Sequence, residues 1–152
     1  MRLRDLLRRL DRCTSGISIL ETAIVLPVIL VVIGGIFDFG RAYATLSAAQ
    51  KSLWSATRYL SHVPYEQVCS SWALADAKNI ALYGNTAGTG PLLVTGWTAG
   101  DITLNAPTNC NNPVVAIRMS ANVPYLSFMW GVVGLPERIT MTAEHEERWI
   151  GQ

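Results

Sequence analysis

The stretch that decides the fold is Gly16–Phe37, GISILETAIVLPVILVVIGGIF, whose single charged side chain is Glu21. Its valines, isoleucines and leucines fall on all sides of a helix, whereas a helix that covers a soluble core is apolar along one stripe. Residues 17–37 provide 21 helical positions. At about 1.5 Å per residue they span roughly 31 Å, close to the ~30 Å hydrocarbon core of a bilayer. The sequence therefore predicts a transmembrane helix over residues 17–37.

The charge distribution predicts how this helix is oriented. Residues 1–16 contain five arginines and two aspartates, a net charge of +3, and residues 17–152 carry a net charge of −2. Basic residues beside a transmembrane helix stay on the cytoplasmic side. Residues 1–16 are therefore predicted to be a cytoplasmic leader and residues 38–152 an exported domain. The basic charge is concentrated in the leader, where it is a topology signal. Residues 17–152 carry no net positive charge, and nothing in them indicates a nucleic-acid surface.

After the apolar run the helical pattern becomes one-sided. Apolar side chains recur near helical spacing with charged side chains on the other side, and no proline intervenes before Pro64. This pattern predicts that residues 38–62 continue the same helix as an amphipathic half that packs under the exported domain. Its main apolar positions are Phe39, Tyr43, Leu46, Leu53 and Leu60.

The middle of the exported domain combines a helix with loops. A second helix is predicted from about Tyr65 to Tyr83, where Gly84 ends it. Residues 84–113 are rich in Gly, Thr, Asn and Pro, which predicts loop with two short strands, Leu92–Val94 and Ile102–Leu104.

Two later segments alternate apolar and polar residues, which is the pattern of half-buried strands. They are VVAIRMSANV at 114–123 and RITMTAEHEERW at 138–149, the second an edge strand with a charged end. Residues 124–136 between them are strongly apolar but too short to span a bilayer. This segment is interpreted as a packed hairpin connection, with a membrane-surface or subunit contact as open alternatives. The predicted fold class is α+β.

A basic head, a glycine, a glutamate five residues later and an apolar helix together resemble the N-terminus of a type IV prepilin. The longer run LETAIVLPVILVVIGGIFDFGRAYATLSAAQKSLWSATRYLS resembles the TadE-like family of minor pseudopilins from tight-adherence (Tad) pilus systems. The matching features are Glu21 followed by Leu26–Pro27, the apolar run, Asp38–Arg41, and an alanine-rich helix that ends in Arg58–Tyr59. The resemblance covers about residues 16–61.

The resemblance implies a pilin-like fold with a long N-terminal helix, a second helix and a small antiparallel sheet. It implies a single-pass inner-membrane protein with a cytoplasmic N-terminus and a periplasmic C-terminal domain, which acts in assembly and adhesion of a pilus or secretion system. The implied partners are a prepilin peptidase, other minor pseudopilins, the major pilin, the inner-membrane assembly platform and the lipid bilayer. Thr22, where the major pilin has a tyrosine, and the large exported region favour a minor component.

By the same resemblance, Gly16 and Ile17 flank the processing site and Glu21 is the recognition and assembly carboxylate. A charged side chain at the centre of a membrane helix costs roughly 2.5–3.5 kcal/mol, and less near an interface. Cleavage would create a positively charged amino terminus, which the carboxylate of one subunit is able to neutralise on its neighbour. The alternative is an interfacial glutamate that extends to the water.

Three cysteines are present. Cys13 lies in the leader and would be lost on cleavage, which leaves Cys69 and Cys110 in the exported part, where oxidation is possible. They are a candidate disulfide that would close a loop of about 40 residues and contribute about 2–4 kcal/mol. The alternative is two free buried thiols. Two cysteines without a nearby histidine pair are poor zinc ligands, so no metal site is predicted.

The sequence does not predict catalysis. Its two histidines are His62, at a helix end, and His145, among acidic residues. Consecutive strand residues point to opposite faces, so the glutamates around His145 would not converge on a metal. The chain lacks the G-x-S-x-G, H-E-x-x-H, P-loop and dinucleotide-binding patterns. It is therefore predicted not to be an enzyme and to bind no cofactor.

Two other functions stay open. One is a permanently membrane-anchored exported binding module that is neither processed nor part of a filament. The other is a secreted soluble domain released after Ala44, because Ala42-Tyr43-Ala44 has the small-x-small form of a cleavage site. Against the second, the apolar run exceeds the usual length of about 7–15 residues in signal peptides.

Overall fold

The computed structural model describes residues 14–105 and 116–150. They form two compact units that divide between Phe39 and Gly40. The longest element is α1, Thr14–His62, a helix of 49 residues with Pro27 inside it. The long N-terminal helix predicted to end near His62 is therefore confirmed. The unit that begins at Gly40 is called the head below.

In the N-terminal unit, α1 exposes apolar side chains all around its axis. The large apolar residues between Ile19 and Phe37 are 43–72% exposed. Among the described residues, this is the one helix that is long and apolar enough to cross a membrane, and its most apolar window is not buried. A soluble monomer rarely exposes so large a contiguous apolar patch. The surface is therefore suited to contact with lipid or with neighbouring helices.

In the head, one face of α1 enters the hydrophobic core. The core positions recur at intervals of four and three residues, the spacing of a single helical face. Three hydroxyl groups of α1 are buried in the head: Ser52 donates to the carbonyl of Ala49 (2.8 Å), Thr57 to that of Leu53 (3.0 Å) and Ser61 to that of Arg58 (2.9 Å). These bonds satisfy polar groups that would otherwise be costly to bury. The apolar members of the face, each fully buried, are Ala49, Leu53, Ala56 and Leu60.

The second helix is split in two, so the prediction of one helix over residues 65–83 is wrong in this detail. The segments are α2, Tyr65–Val68, and α3, Ser71–Tyr83. Ser70 is extended (φ −67°, ψ 146°), and its side chain accepts a hydrogen bond from the Ala73 N–H. Such an N-cap satisfies a free donor of the helix start and favours a new helix over continuation of the old one.

The end of α3 matches the prediction. Gly84 adopts the left-handed conformation (φ 76°), and its N–H donates to the Ile80 carbonyl (2.9 Å). The predicted strand at Leu92–Val94 does not form, because the Leu93 N–H bonds the Leu82 carbonyl of α3 (2.8 Å). A 3₁₀ turn follows at Ala99–Asp101.

Within the described ranges the strands form one antiparallel sheet of three, in the order β1-β2-β3. The strands are β1, Ile102–Asn105, β2, Ala116–Leu126, and β3, Arg138–Arg148. The strand predicted from the 114–123 pattern extends three residues further through Pro124, while Val114 and Val115 lie outside the described residues. β1 pairs only with residues 118–121 of β2, so at Pro124 one side of β2 carries no ladder with β1. A proline is tolerated at such an open side.

Alternate residues of β2 line the core. Trp97 is 2% exposed, and its Nε1 donates to the carbonyl of Asn122 (2.9 Å). β2 and β3 are joined by residues 127–137, which contain α4, Phe128–Val132. The segment predicted to be a hairpin connection does connect these strands, but most of its apolar side chains are exposed instead of packed.

Candidate functional site

The predicted processing site lies at the start of α1. The backbones of Gly16 and Ile17 belong to this helix, which begins at Thr14. Glu21 follows Ile17 by four residues, which is about 6 Å along a helix axis. The order of these groups on one helix is the arrangement that the sequence predicts, and processing itself remains a prediction.

The carboxylate of Glu21 is exposed. It makes no hydrogen bond or ion pair with any residue that the structure describes. The neighbouring polar side chain, Thr22, donates instead to the Ser18 carbonyl on its own helix (2.9 Å). A carboxylate on an apolar helix is costly to transfer into lipid without a partner. If Glu21 pairs with a positive charge, that charge lies outside the described part of its own chain.

The structure describes only one of the two cysteines in the predicted disulfide, Cys69. Cys69 lies at the end of α2 and is disulfide-bonded. Cys110, its predicted partner, lies outside the described residues, so the pairing remains a prediction. Glu21 and Cys69 lie in different units and do not belong to one site.

A cleft of about 870 Å³ lies at the end of the head where the chain enters at Gly40. It combines apolar side chains with two guanidinium groups, those of Arg41 in α1 and Arg138 at the start of β3. Neither guanidinium has a hydrogen-bond or ion-pair partner within the ranges 14–105 and 116–150. This cleft is called the entry cleft, and its lining includes Arg41, Thr45, Leu93, Leu126, Arg138 and Ile139.

The sequence reasoning did not find the entry cleft. Arg41 and Arg138 are far apart along the chain and belong to different elements. The register of β3 on β2 places Arg138 opposite Leu126, and the fold of the head brings both arginines to the lining of one cleft. The apolar character of residues 124–136 was the one signal in the sequence that this end of the head is unusual.

A second, more open cleft of about 490 Å³ lies near the end of α1. Arg58 lies over the ring of Trp54, with its Cζ 5.4 Å from the ring centroid. Tyr59 donates a hydrogen bond to Asp76 of α3 (3.2 Å). Burial, then the negative charge of Asp76 and this hydrogen bond, raise the pKa of Tyr59 above its usual 10.0. The Trp72 side chain also lines this cleft, which we call the aromatic cleft.

At the acidic end of β3, successive side chains alternate between the two faces of the sheet. Glu146 points outward and pairs with Arg118 across the sheet (2.8 Å). His145 is half-buried on the opposite face. Among the residues that the structure describes, no group of three or more His, Cys, Asp or Glu side chains is arranged to hold a metal ion.

Comparison with known proteins identifies a family model that matches the N-terminal part of the chain. Residues 16–53, about a quarter of the chain, match the family model described as TadE-like protein. The match confirms the predicted resemblance, and the TadE-like family suggests involvement in Tad pilus assembly. Neither curated proteins nor solved structures gave a match.

Proposed function

We propose that this chain, whose residues 16–53 match the TadE-like model, is a minor pseudopilin of a Tad-type pilus or secretion system. A prepilin peptidase removes residues 1–16 at the cytoplasmic face. The apolar part of α1 then holds the protein in the inner membrane, and the head faces the periplasm until the protein joins, or helps to start, an adhesive pilus. The observation that supports this proposal is the exposed carboxylate of Glu21 on the apolar part of α1, where it has no partner among the residues that the structure describes.

The chemistry of this function is assembly. Cleavage before Ile17 leaves a free α-amino group, which is positively charged at neutral pH. In a bundle of such helices, Glu21 of one subunit neutralises the amino terminus of its neighbour. The paired charges avoid the cost of an isolated carboxylate in lipid. The exposed apolar side chains of the same helix supply packing surface between subunits.

Processing is tested by mass spectrometry of the mature N-terminus. The expected first residue is Ile17, and Gly16→Ala should block its formation. Gly35→Ala is the matched control, because a Cβ at Gly35 would have no neighbouring atom within 4 Å. An intact chain that begins at Met1 in cells with active peptidase would support a permanently anchored binding module. A chain that begins at Thr45 would support the secreted soluble domain.

The assembly role is tested separately in piliated cells. Glu21→Ala should abolish or strongly reduce pili while the processed protein still accumulates in the membrane. Glu66→Ala is the control, since Glu66 is also an exposed acid but lies in the head. Normal piliation by the Glu21→Ala protein would exclude the assembly role of this carboxylate.

A further inference from the structure

The connection between β2 and β3 is held by hydrogen bonds within itself and exposes several apolar side chains. Ser127 Oγ caps α4 by accepting from the Trp130 N–H (3.2 Å), and the Leu135 N–H returns to the Trp130 carbonyl (2.8 Å). The base is closed by a bond from the Ser127 N–H to the Glu137 carbonyl (2.8 Å). Within this frame the exposed apolar side chains are Phe128 (73%), Trp130 (41%), Val132 (60%), Val133 (53%) and Leu135 (52%). These five residues are called the apolar tip.

The apolar tip lies at the end of the head where the chain enters. The strand ends on either side of it, Leu126 and Arg138, line the entry cleft together with Arg41. At the other end of β3, the Ile150 N–H bonds the Ser61 carbonyl (3.1 Å). β3 therefore runs antiparallel to the head part of α1. Since Arg41 and Ser61 are 20 residues apart, these two ends lie about 30 Å apart along the helix.

The charges beside the apolar tip complement lipid phosphates. Arg41 is the first basic residue after the apolar run of α1, and Arg138 follows the tip directly. Both guanidinium groups are without partners among the described side chains. The acid beside the apolar tip, Glu137, packs its side chain over Gly131. Asp38, the other nearby acid in the sequence, is 8% exposed and already has a partner.

We propose that the apolar tip is a second membrane contact, which enters the boundary between headgroups and acyl chains on the exported side of the bilayer. Trp130 takes the interfacial position that tryptophan prefers, and Arg41 and Arg138 bind lipid phosphate groups. Lipid is favoured over a protein partner because Arg41, which lines the cleft beside the tip, follows the last residue of the apolar run, Phe37, by only four residues in the sequence. This inference rests on the membrane span included in the proposed function.

The tryptophans of the chain make the contact measurable. The five residues are Trp54, Trp72, Trp97, Trp130 and Trp149, so none precedes residue 40. Trp54 and Trp72 line the aromatic cleft beside His62, and the Trp149 Nε1 donates to the Val63 carbonyl (3.1 Å). Trp97 is buried. Trp130 is therefore the tryptophan expected to reach lipid.

The experiment uses the full chain in nanodiscs whose phospholipids carry brominated acyl chains, because bromine quenches tryptophan at contact range. Part of the wild-type fluorescence should be quenched, and Trp130→Phe should remove at least about half of that quenching if Trp130 is the interfacial tryptophan. Trp72→Phe is the matched control, since Trp72 is similarly exposed (48%), and it should leave the quenched signal in place. Equal quenching in wild type and Trp130→Phe would overturn the proposal.

A double variant of the tip and a control test whether the apolar side chains of the tip determine how closely Trp130 approaches the acyl chains. Val132→Ser combined with Val133→Ser should reduce bromolipid quenching, whereas Leu92→Ser, at an exposed site outside the tip, should not. If the chain is retained in the discs and the tip variants quench like wild type, the tip proposal fails alone. If the chain is not retained in the discs, the membrane span fails as well. Quenching that is absent in discs, together with self-association that the tip variants abolish, would show docking between copies instead.

Discussion

Replacement of Leu53 by alanine tests whether α1, whose N-terminal part is exposed and apolar, also forms the core of the head. Leu53 is 0% exposed and lies on the face that includes Ala49 and Ala56. Leu53→Ala removes three carbon atoms from a site that neighbouring alanines cannot refill. A fully buried Leu→Ala change costs about 2–5 kcal/mol, a large part of the roughly 5–15 kcal/mol that stabilises a typical domain.

The assay is urea unfolding of the full chain in nanodiscs, followed by tryptophan fluorescence. Because all five tryptophans follow residue 39, the signal reports on the head alone. With a urea dependence of about 1–3 kcal/mol/M, a loss of at least about 2 kcal/mol lowers the midpoint by at least about 0.7 M. Leu92→Ala is the matched control, since Leu92 is 39% exposed and water fills the space that its side chain leaves. The control should cost less than about 1 kcal/mol.

Two results would refute this reasoning. If Leu53→Ala changes the midpoint no more than Leu92→Ala, α1 does not carry the core of the head. If the slope of the transition changes with the midpoint, the variant has altered the compactness of one state, and the free-energy comparison fails.

Three further predictions concern the stability of the head in the same assay. Glu147→Met should raise stability by about 1 kcal/mol, because Glu147 Oε2 is buried and has no hydrogen-bond partner in the described chain; an unchanged or lower midpoint would contradict this. Because the pKa of Tyr59 is raised above 10.0 by burial and by Asp76, its stabilising contribution is complete below about pH 10 and is lost as the pH rises through the folded-state pKa. Tyr59→Phe should therefore flatten the fall of the midpoint between pH 8 and 11, and an unchanged slope would exclude this contribution. Gly84→Ala should cost about 1–2 kcal/mol, since Gly84 has φ 76°, whereas Gly100→Ala, without a positive φ, should be nearly neutral; equal effects would contradict the role of the left-handed cap.

The elements that could be predicted are those specified by local pattern. The apolar run and the seven-residue spacing of Leu53 and Leu60 both predict a helix, and α1 is continuous through both segments to His62. The break at Ser70 was missed because a serine side chain that caps a helix is indistinguishable in sequence from an ordinary helical serine. The predicted strand at Leu92–Val94 failed because a bond to α3, remote in sequence, replaced strand pairing.

The candidate functional residues also separate into those that a local sequence pattern predicts and those that depend on tertiary structure. Glu21 and its distance from Ile17 are properties of one continuous segment, so the sequence was sufficient to single them out. The entry cleft depends on tertiary packing that brings Arg41 of α1 and Arg138 of β3 to one lining, and no local sequence pattern contains that packing. The exposure of the apolar tip depends equally on tertiary structure, because residues 124–136 have a composition that suits either a core or a membrane surface.

The passage of α1 from one unit into the other without a break in helical structure has a mechanical consequence. A flexible tether would lengthen under load and let the bilayer-embedded portion lag behind. In this chain the hydrogen-bonded backbone of α1 continues through Gly40, so a load on the head would pass along it into the apolar part of the helix. Under the proposed function, the head would serve as the point at which an assembly machinery pulls this subunit out of lipid.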